Sequence, residues 1–461
     1  MPSVRFQKSP CGGLKTFKMK SYLTVVGGGL AGSEAAWQAA ERGVSVVLYE
    51  MRSHTRTPVH KTDQCAELVC SNSLGSNLPP SAPFLLKEEL RKFNSLVIGT
   101  ADRHSVPAGG ALAVDRDLFS QEITQRLESH PNITIKRDEV TEIPDEGPVI
   151  IATGPLTSPK LSEDIKRIIG QKYLYFYDAL SPIVDANSID YDKAFFASRY
   201  GKGDDDYLNC PLNAEQYHRL VDELNKAEKV PFASFEKPIY FEGCLPVEEL
   251  ASRGLKTLAF GPLKPVGLPD PKTGKIAHAV VQLRRENKEG TAFNLVGFQT
   301  KMTYPEQKRI LKMIPGLENA EIFRYGAIHR NTYINAPDLL TKELDLHFRP
   351  GVYFAGQITG VEGYVESSTL GLLAGLSAVK RISGEKFVPP PIDTAMGALH
   401  NYVTTKRPQN YQPMNINFGL FLVKEMGIRN KKERNQKIFE NALNSLSHWM
   451  DPVTEKVDSA V

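Results

Sequence analysis

The sequence predicts an α/β protein: a doubly wound parallel sheet interrupted by an inserted α+β domain and followed by a C-terminal helical region. Three observations predict it. An apolar run, a glycine turn and an alanine-rich helix follow one another from Tyr22; two later apolar runs, around Ile150 and Tyr353, also end in glycine turns; and the stretch between those two runs has a different, mixed texture. The 461 residues suffice for two or three domains at roughly 100 to 200 residues each. Hydrophobic residues make up 41% and charged residues 24%, which is globular. No run reaches the roughly 18 apolar residues of a membrane helix, so no membrane span is expected. A net charge of +3 is too small to mark the whole chain as a polyanion binder.

In chain order, residues 1–20 carry Arg5, Lys8, Lys15, Lys18 and Lys20 with no acid and no apolar core of an export signal. They are expected to be a disordered extension, with Met19 as a possible true start and a cytoplasmic location. Residues 21–160 form the first part of the nucleotide-binding domain. Tyr22 to Val26 reads as a strand, Ser33 to Arg42 as a helix packed through Ala35, Ala36, Ala39 and Ala40, and Val44 to Tyr49 as a second strand ending at Glu50. The turn Gly27-Gly28-Gly29-Leu30-Ala31-Gly32 carries the GxGxxG spacing. Its first glycine makes the tight turn, the second admits a pyrophosphate and the third lets helix and strand touch. The helix N-terminus then faces the anion, and Glu50, at a strand end, can accept ribose hydroxyls.

Val149 to Ile151 is a further buried strand running into Ala152-Thr153-Gly154-Pro155. Residues 161–325, with the charged loop at 201–206 and the proline-rich stretch at 262–271, read as the inserted domain. Residues 326–388 return to the nucleotide-binding domain through Tyr353-Phe354-Ala355-Gly356, then Glu362-Gly363-Tyr364 and a small-residue helix, Ser367 to Ala378. The two later glycine turns resemble the later motifs of the two-dinucleotide-binding flavoproteins. That resemblance implies a Rossmann-like domain holding FAD, with Gly154, Gly356 and Glu362 beside it. After Pro389-Pro390-Pro391, residues 389–461 form a basic helical region.

Five scattered cysteines (Cys11, Cys65, Cys70, Cys210, Cys244) argue against a disulfide framework. Cys11 and Cys210 read as buried filler. Cys65 and Cys70 have the spacing of the redox pair in NAD(P)H-dependent flavin disulfide reductases, a rival reading. Against it, no second strand-flanked GxGxxG occurs between Leu161 and Tyr325, and Ser71-Asn72-Ser73 follows Cys70 in place of a proline-containing sequence. No Ser/His/Asp triad and no His/Cys cluster with metal-ligand spacing is present, so no metal is expected.

Five segments are more specific: Ala66 to Leu74, Val106 to Arg116, Tyr207 to Pro211, Glu242 to Leu250 and His329 to Tyr333. They resemble the folate- and FAD-dependent tRNA uracil-5 methyltransferases, from Tyr22 to the C-terminal region. The sister family that modifies the wobble uridine with FAD resembles only the FAD parts. The resemblance implies methylation at C5 of a T-loop uridine in tRNA, with 5,10-methylenetetrahydrofolate as carbon donor and FAD reduced by NADH or NADPH. Uracil C5 is a poor nucleophile until a thiolate adds at C6. The family motifs imply Cys244 as that nucleophile and Cys70 as an accessory thiol, with the roles open to exchange. Cys65 departs from the family pattern, which has an aromatic residue there. Arg116 and Arg330 are candidates to pair with FAD phosphate or folate carboxylates. His400, Tyr402, Lys406, Arg407, Tyr411 and the run from Lys424 to Lys437, with Lys431, Lys432 and Arg434, form a basic tract with interleaved aromatics. Phosphate attraction and base stacking on tRNA are its expected roles.

Overall fold

The protein is seen in a computed structural model that describes residues 22–55, 57, 59–170, 174–201, 204–231, 240, 245–406, 411–421, 428 and 430–454. Its first sheet has six strands in the order Asp345–Leu346, Arg349–Phe354, Val149–Ile151, Tyr22–Val26, Ser45–Tyr49, Ile133–Lys136. All neighbours are parallel except the edge strand Asp345–Leu346. After Tyr22–Val26 the chain winds to one side, then returns to lay Val149–Ile151 on the other. The switch point therefore lies between these two strands, where open α/β sheets bind ligands at their carboxyl ends.

The helix after the glycine turn runs Leu30–Ala40, three residues earlier at its start than the sequence predicts, because Gly29 takes an extended N-cap conformation. The following strand is Ser45–Tyr49. Every residue of Leu30–Ala40 is buried, and against it lies the helix Tyr364–Ile382. A Cβ at Gly371 would stand 2.1 Å from the carbonyl oxygen of Ala31, and one at Gly375 2.8 Å from that of Ala35. The two helices thus cross backbone to backbone. The small-residue run after Tyr364 is required by that packing.

The second large sheet is antiparallel throughout, in the order Phe195–Phe196, Tyr207–Leu212, Ala279–Arg285, Ala292–Leu295, Ile183–Asp185, Ile322–Arg324. It has its own core, in which Leu208, Leu220, Phe298 and Ile310 are fully buried. Helix Pro159–Ile169 does not belong to it: Leu161, Ile165 and Ile169 pack in the core of the parallel sheet. Between the two bodies runs an antiparallel ribbon of Leu174–Ala179 and Ile328–Tyr333, in which Asp178 stands directly opposite His329.

Helix Lys431–Thr454 packs on Ala82–Lys92 through Phe84 stacked on Phe439, with centroids 5.7 Å apart, and through Phe93 near Trp449. Among the described residues no helix is long and apolar enough to cross a membrane.

Candidate active site

The glycine turn is built by steric demand. Gly27 has φ +105°, and a Cβ there would lie 2.6 Å from the Ala152 carbonyl oxygen; one at Gly32 would lie 1.8 Å from that of Gly27. The Gly28 N–H donates to Glu50 Oε2 at 2.8 Å. Glu50 is also gripped by Arg52, whose Nε donates to Oε1 at 2.8 Å and Nη2 to Oε2 at 3.0 Å. Burial pushes the Glu50 carboxyl up, but Arg52 and the backbone donors outweigh it and hold it below the usual carboxylate range. Gly29 differs from its neighbours: no atom lies within 4 Å of where its Cβ would be. Its open side faces a cavity of about 510 Å³, lined on this flank by Gly29, Leu30, Ala31 and Glu50.

The same cavity is closed by the second glycine turn, with Gly154 at φ +65°, and by Glu362. Gly356 does not line it. It lets the third turn pack on the first helix, since its Cβ would meet that of Ala31 at 2.6 Å. Glu362 accepts from Gln357 Nε2 at 2.8 Å. Burial, reinforced by the charge of Asp178, pushes its carboxyl well above the usual range.

On the wall beyond lies Cys70, whose Sγ donates to Asp178 Oδ2 at 3.4 Å, with His329 Nε2 at 3.9 Å from the same oxygen. The three ligand-type atoms all lie within 4.8 Å of one another. No sequence spacing announces this cluster, because its members come from three segments. The Tyr364 hydroxyl accepts from the Cys70 and Ser71 N–H groups at 2.9 and 3.1 Å. Sequence reasoning passed over Asp178 and Asn331, both of which line the cavity. A charged residue inside the apolar run Leu174–Ala179 was the available signal for Asp178.

Other expected site residues stand elsewhere. Arg116 does not reach the cavity. It is paired with Glu286, and its Nη1 and Nη2 donate to the Leu68 and Cys70 carbonyls. So engaged, the guanidinium braces the Cys70 loop. Arg330 lies over the Tyr175 ring, 4.2 Å from its centroid. Cys65 and Cys70 are both free thiols. Cys65 is fully buried beside Gly28, and burial pushes its thiol up to about 11. Nor does the antiparallel second sheet form a second nucleotide-binding βαβ module, so the disulfide reductase reading loses its geometric basis. Cys210 is fully buried in the second core. Cys11, Cys244 and Arg407 lie outside the described residues.

The C-terminal tract divides into two populations. Lys431, Lys432 and Arg434 are exposed at the start of helix Lys431–Thr454, and Lys406 is exposed with an ion pair to Asp338 at 3.4 Å. The aromatics expected to stack on bases are instead packing groups. Tyr402 is 4% exposed and donates to the Gln412 carbonyl, and Tyr411 donates to the Thr359 carbonyl while lying against Tyr333 and Tyr402. His400 is buried, with Nε2 2.8 Å from the Lys342 carbonyl oxygen, and burial lowers it to about 4.

Known proteins resemble this arrangement along nearly its whole length. The family model described as glucose inhibited division protein A matches residues 22–386. The methylenetetrahydrofolate–tRNA-(uracil-5-)-methyltransferase TrmFO of Geobacter sulfurreducens is 58% identical, over 94% of this chain and 100% of its own length. Its namesake from Natranaerobius thermophilus is 56% identical over 93% and 99%. Among solved structures, GidA of Aquifex aeolicus superposes with a TM-score of 0.65 at 16% identity, covering 96% of this chain and 78% of that one, a likeness of fold.

Proposed function

The chain belongs to the glucose inhibited division protein A family and, within it, to the methylenetetrahydrofolate–tRNA-(uracil-5-)-methyltransferases, and from that membership we infer that it transfers a one-carbon unit from 5,10-methylenetetrahydrofolate to C5 of a uridine in tRNA. The near-full-length match to relatives of that name carries the reading. The finer assignment is a T-loop uridine, methylated in the cytoplasm.

FAD fits the residues present. Gly29 leaves a cradle open that a side chain would fill, the N-terminus of Leu30–Ala40 borders it, and the charged Glu50 carboxylate stands at the strand end. Gly27, Gly28, Gly29 and Gly32 shape the turn, while Leu30, Ala31, Glu50, Gly154 and Glu362 would border the bound cofactor. When bound, FAD supplies the reducing equivalents that make the transferred carbon a methyl group, with NADH or NADPH as the source.

Cys70 and Cys244 share the thiol chemistry: one adds to uracil C6 and the other assists. The family motifs favour Cys244 for the attack. The position of Cys70 on the cavity wall, with a carboxylate to receive its proton, supports the exchanged assignment, in which Cys70 attacks. Cys70→Ala is then expected to keep FAD and bind tRNA, yet form no covalent complex with tRNA carrying 5-fluorouridine at the target. Cys244→Ala should still trap. The reverse pattern restores the first assignment, and normal trapping by both variants excludes thiolate addition.

We also propose that Lys406, Lys431, Lys432 and Arg434 contact tRNA phosphates. Each phosphate contact contributes about 0.9 (duplex) or 0.7 (single strand) to the slope of log affinity against log salt. Neutralising Lys431, Lys432 and Arg434 together is expected to weaken tRNA binding and flatten that slope, leaving flavin content unchanged. An unaltered slope would mean that they form only a solvated helix face.

A further inference from the structure

We propose that the exposed face of Tyr304 is a stacking platform for a nucleobase of the tRNA, one that flanks the target uridine. The proposal rests on the methyltransferase reading above and adds a contact on the RNA to it. Helix Tyr304–Leu311 starts where it does because Thr303 takes an extended N-cap conformation and Pro305 suits the first turn. Tyr304, its first residue, is 58% exposed, so core packing does not account for it. Its ring lies on that of Tyr325, with centroids 4.3 Å apart and planes inclined by 23°. A ring backed by a second ring and open to solvent on its outer face is the surface on which unstacked RNA bases are held, since every base has a π face to offer.

The platform is rigid because a buried glutamine joins the two elements that carry it. Gln307, in the same helix and fully buried, accepts from the Gly326 N–H at 2.8 Å and donates to the Gly326 carbonyl at 2.9 Å and the Met302 carbonyl at 2.8 Å. Gly326 is itself wedged in place: a Cβ there would stand 2.5 Å from Thr300 Cγ2 and 2.7 Å from the Leu180 carbonyl oxygen. Tyr325, next to Gly326, is therefore held against Tyr304 without a ligand. Both rings are ordered before RNA arrives, so binding does not have to order them.

Its place in the fold ties the platform to the reaction. The Leu180 N–H donates to the Ala327 carbonyl at 2.8 Å, and the Thr300 N–H donates to the Leu180 carbonyl at 3.1 Å. Leu180 follows Asp178 by two residues, and Tyr325 precedes His329 by four, about 13 Å of extended chain. Asp178 and His329 both line the cavity, so the ribbon that walls the cavity also anchors the platform. The charge nearby suits RNA. Lys308, exposed and four residues after Tyr304, has its ammonium 6.0 Å from the Tyr325 centroid, and Lys312 is exposed one turn further on. The acid of that first turn, Glu306, is paired with Arg309 at 2.7 Å.

In full-length, FAD-loaded protein, Tyr304→Ala is expected to weaken tRNA binding about 10-fold, within the range for one stacked base, at unchanged flavin content. The slope of log affinity against log salt should stay as in wild type, because no phosphate contact is lost. Tyr304→Trp should bind at least as well as wild type, whereas Tyr304→Leu, apolar but without a π face, should behave like the alanine variant. Wild-type affinity in either Tyr304→Ala or Tyr304→Leu overturns the proposal. So does a flattened salt slope in Tyr304→Ala, since the residue would then act through phosphate contacts.

Fluorescence locates the base. On one side of the target uridine, 2-aminopurine in tRNA should emit less when bound to wild-type enzyme than when bound to saturating Tyr304→Ala, because stacking on the ring quenches it. Equal emission from the two complexes on both sides overturns the proposal. Failure of the wild-type enzyme to methylate tRNA with 5,10-methylenetetrahydrofolate and NADH or NADPH would strike the methyltransferase reading itself. Wild-type methylation beside a Tyr304→Ala protein that binds tRNA normally overturns only the platform.

Discussion

Gly29→Ala is expected to give a folded protein that has lost most of its flavin. The protein itself has no objection to the new methyl group, because no atom lies within 4 Å of its position and the Gly29 backbone, at φ −72° and ψ −171°, suits any L residue. The objection comes from the ligand: the methyl group occupies the approach of a pyrophosphate to the helix N-terminus. Gly32→Ala should behave differently. Its Cβ would need to sit 1.8 Å from the Gly27 carbonyl oxygen, so the strand–helix junction must open and the yield of folded protein should collapse. The ratio of flavin to protein absorbance, read beside the melting temperature, separates the two outcomes. A Gly29→Ala protein with wild-type flavin would show that the cofactor does not use this turn.

The second large effect concerns stability, and it runs through Arg116. Its side chain is 13% exposed and that of its carboxylate partner, Glu286, is 7% exposed, one on the helix after Asp115 and the other just past the end of strand Ala279–Arg285. Glu286→Ala strands a buried charge, which costs about 3–5 kcal/mol. It should also loosen the Cys70 loop, because Arg116 donates to the Leu68 and Cys70 carbonyls. Replacing both partners by apolar residues of similar volume, Arg116→Met with Glu286→Leu, should restore much of the stability, since no charge is then left unpaired. Denaturant unfolding of the variants measures both effects. If Glu286→Ala is as stable as wild type, the guanidinium has another route to solvent and the brace is not needed.

How far the sequence is legible varies along the chain for a common reason. The GxGxxG turn, the strand before it and Glu50 could be read directly, because each glycine answers a steric demand set within a few residues or by one neighbouring strand. The helix start was misplaced because an N-cap is decided by backbone conformation at Gly29, which residue type does not reveal. The C-terminal aromatics misled for the opposite reason. Tyr402 and Tyr411 among basic residues match an RNA surface in composition, and only the packing shows that they fill the space beside Tyr333.

By itself, then, the sequence determined the nucleotide-binding module and the likeness to a family of tRNA methyltransferases, and it singled out Cys70 as a candidate, all from short contiguous motifs. Only the tertiary structure decided what surrounds that thiol. Asp178 lies 108 residues from Cys70 along the chain, and His329 reaches Asp178 through the register of a two-stranded ribbon. Arg116 and Glu286 meet only because the second sheet returns its strand Ala279–Arg285 beside the Cys70 loop. Turn chemistry and apolar periodicity are written locally, whereas the meeting of distant side chains depends on strand register and on how two cores pack, and neither leaves a mark on the residues that meet.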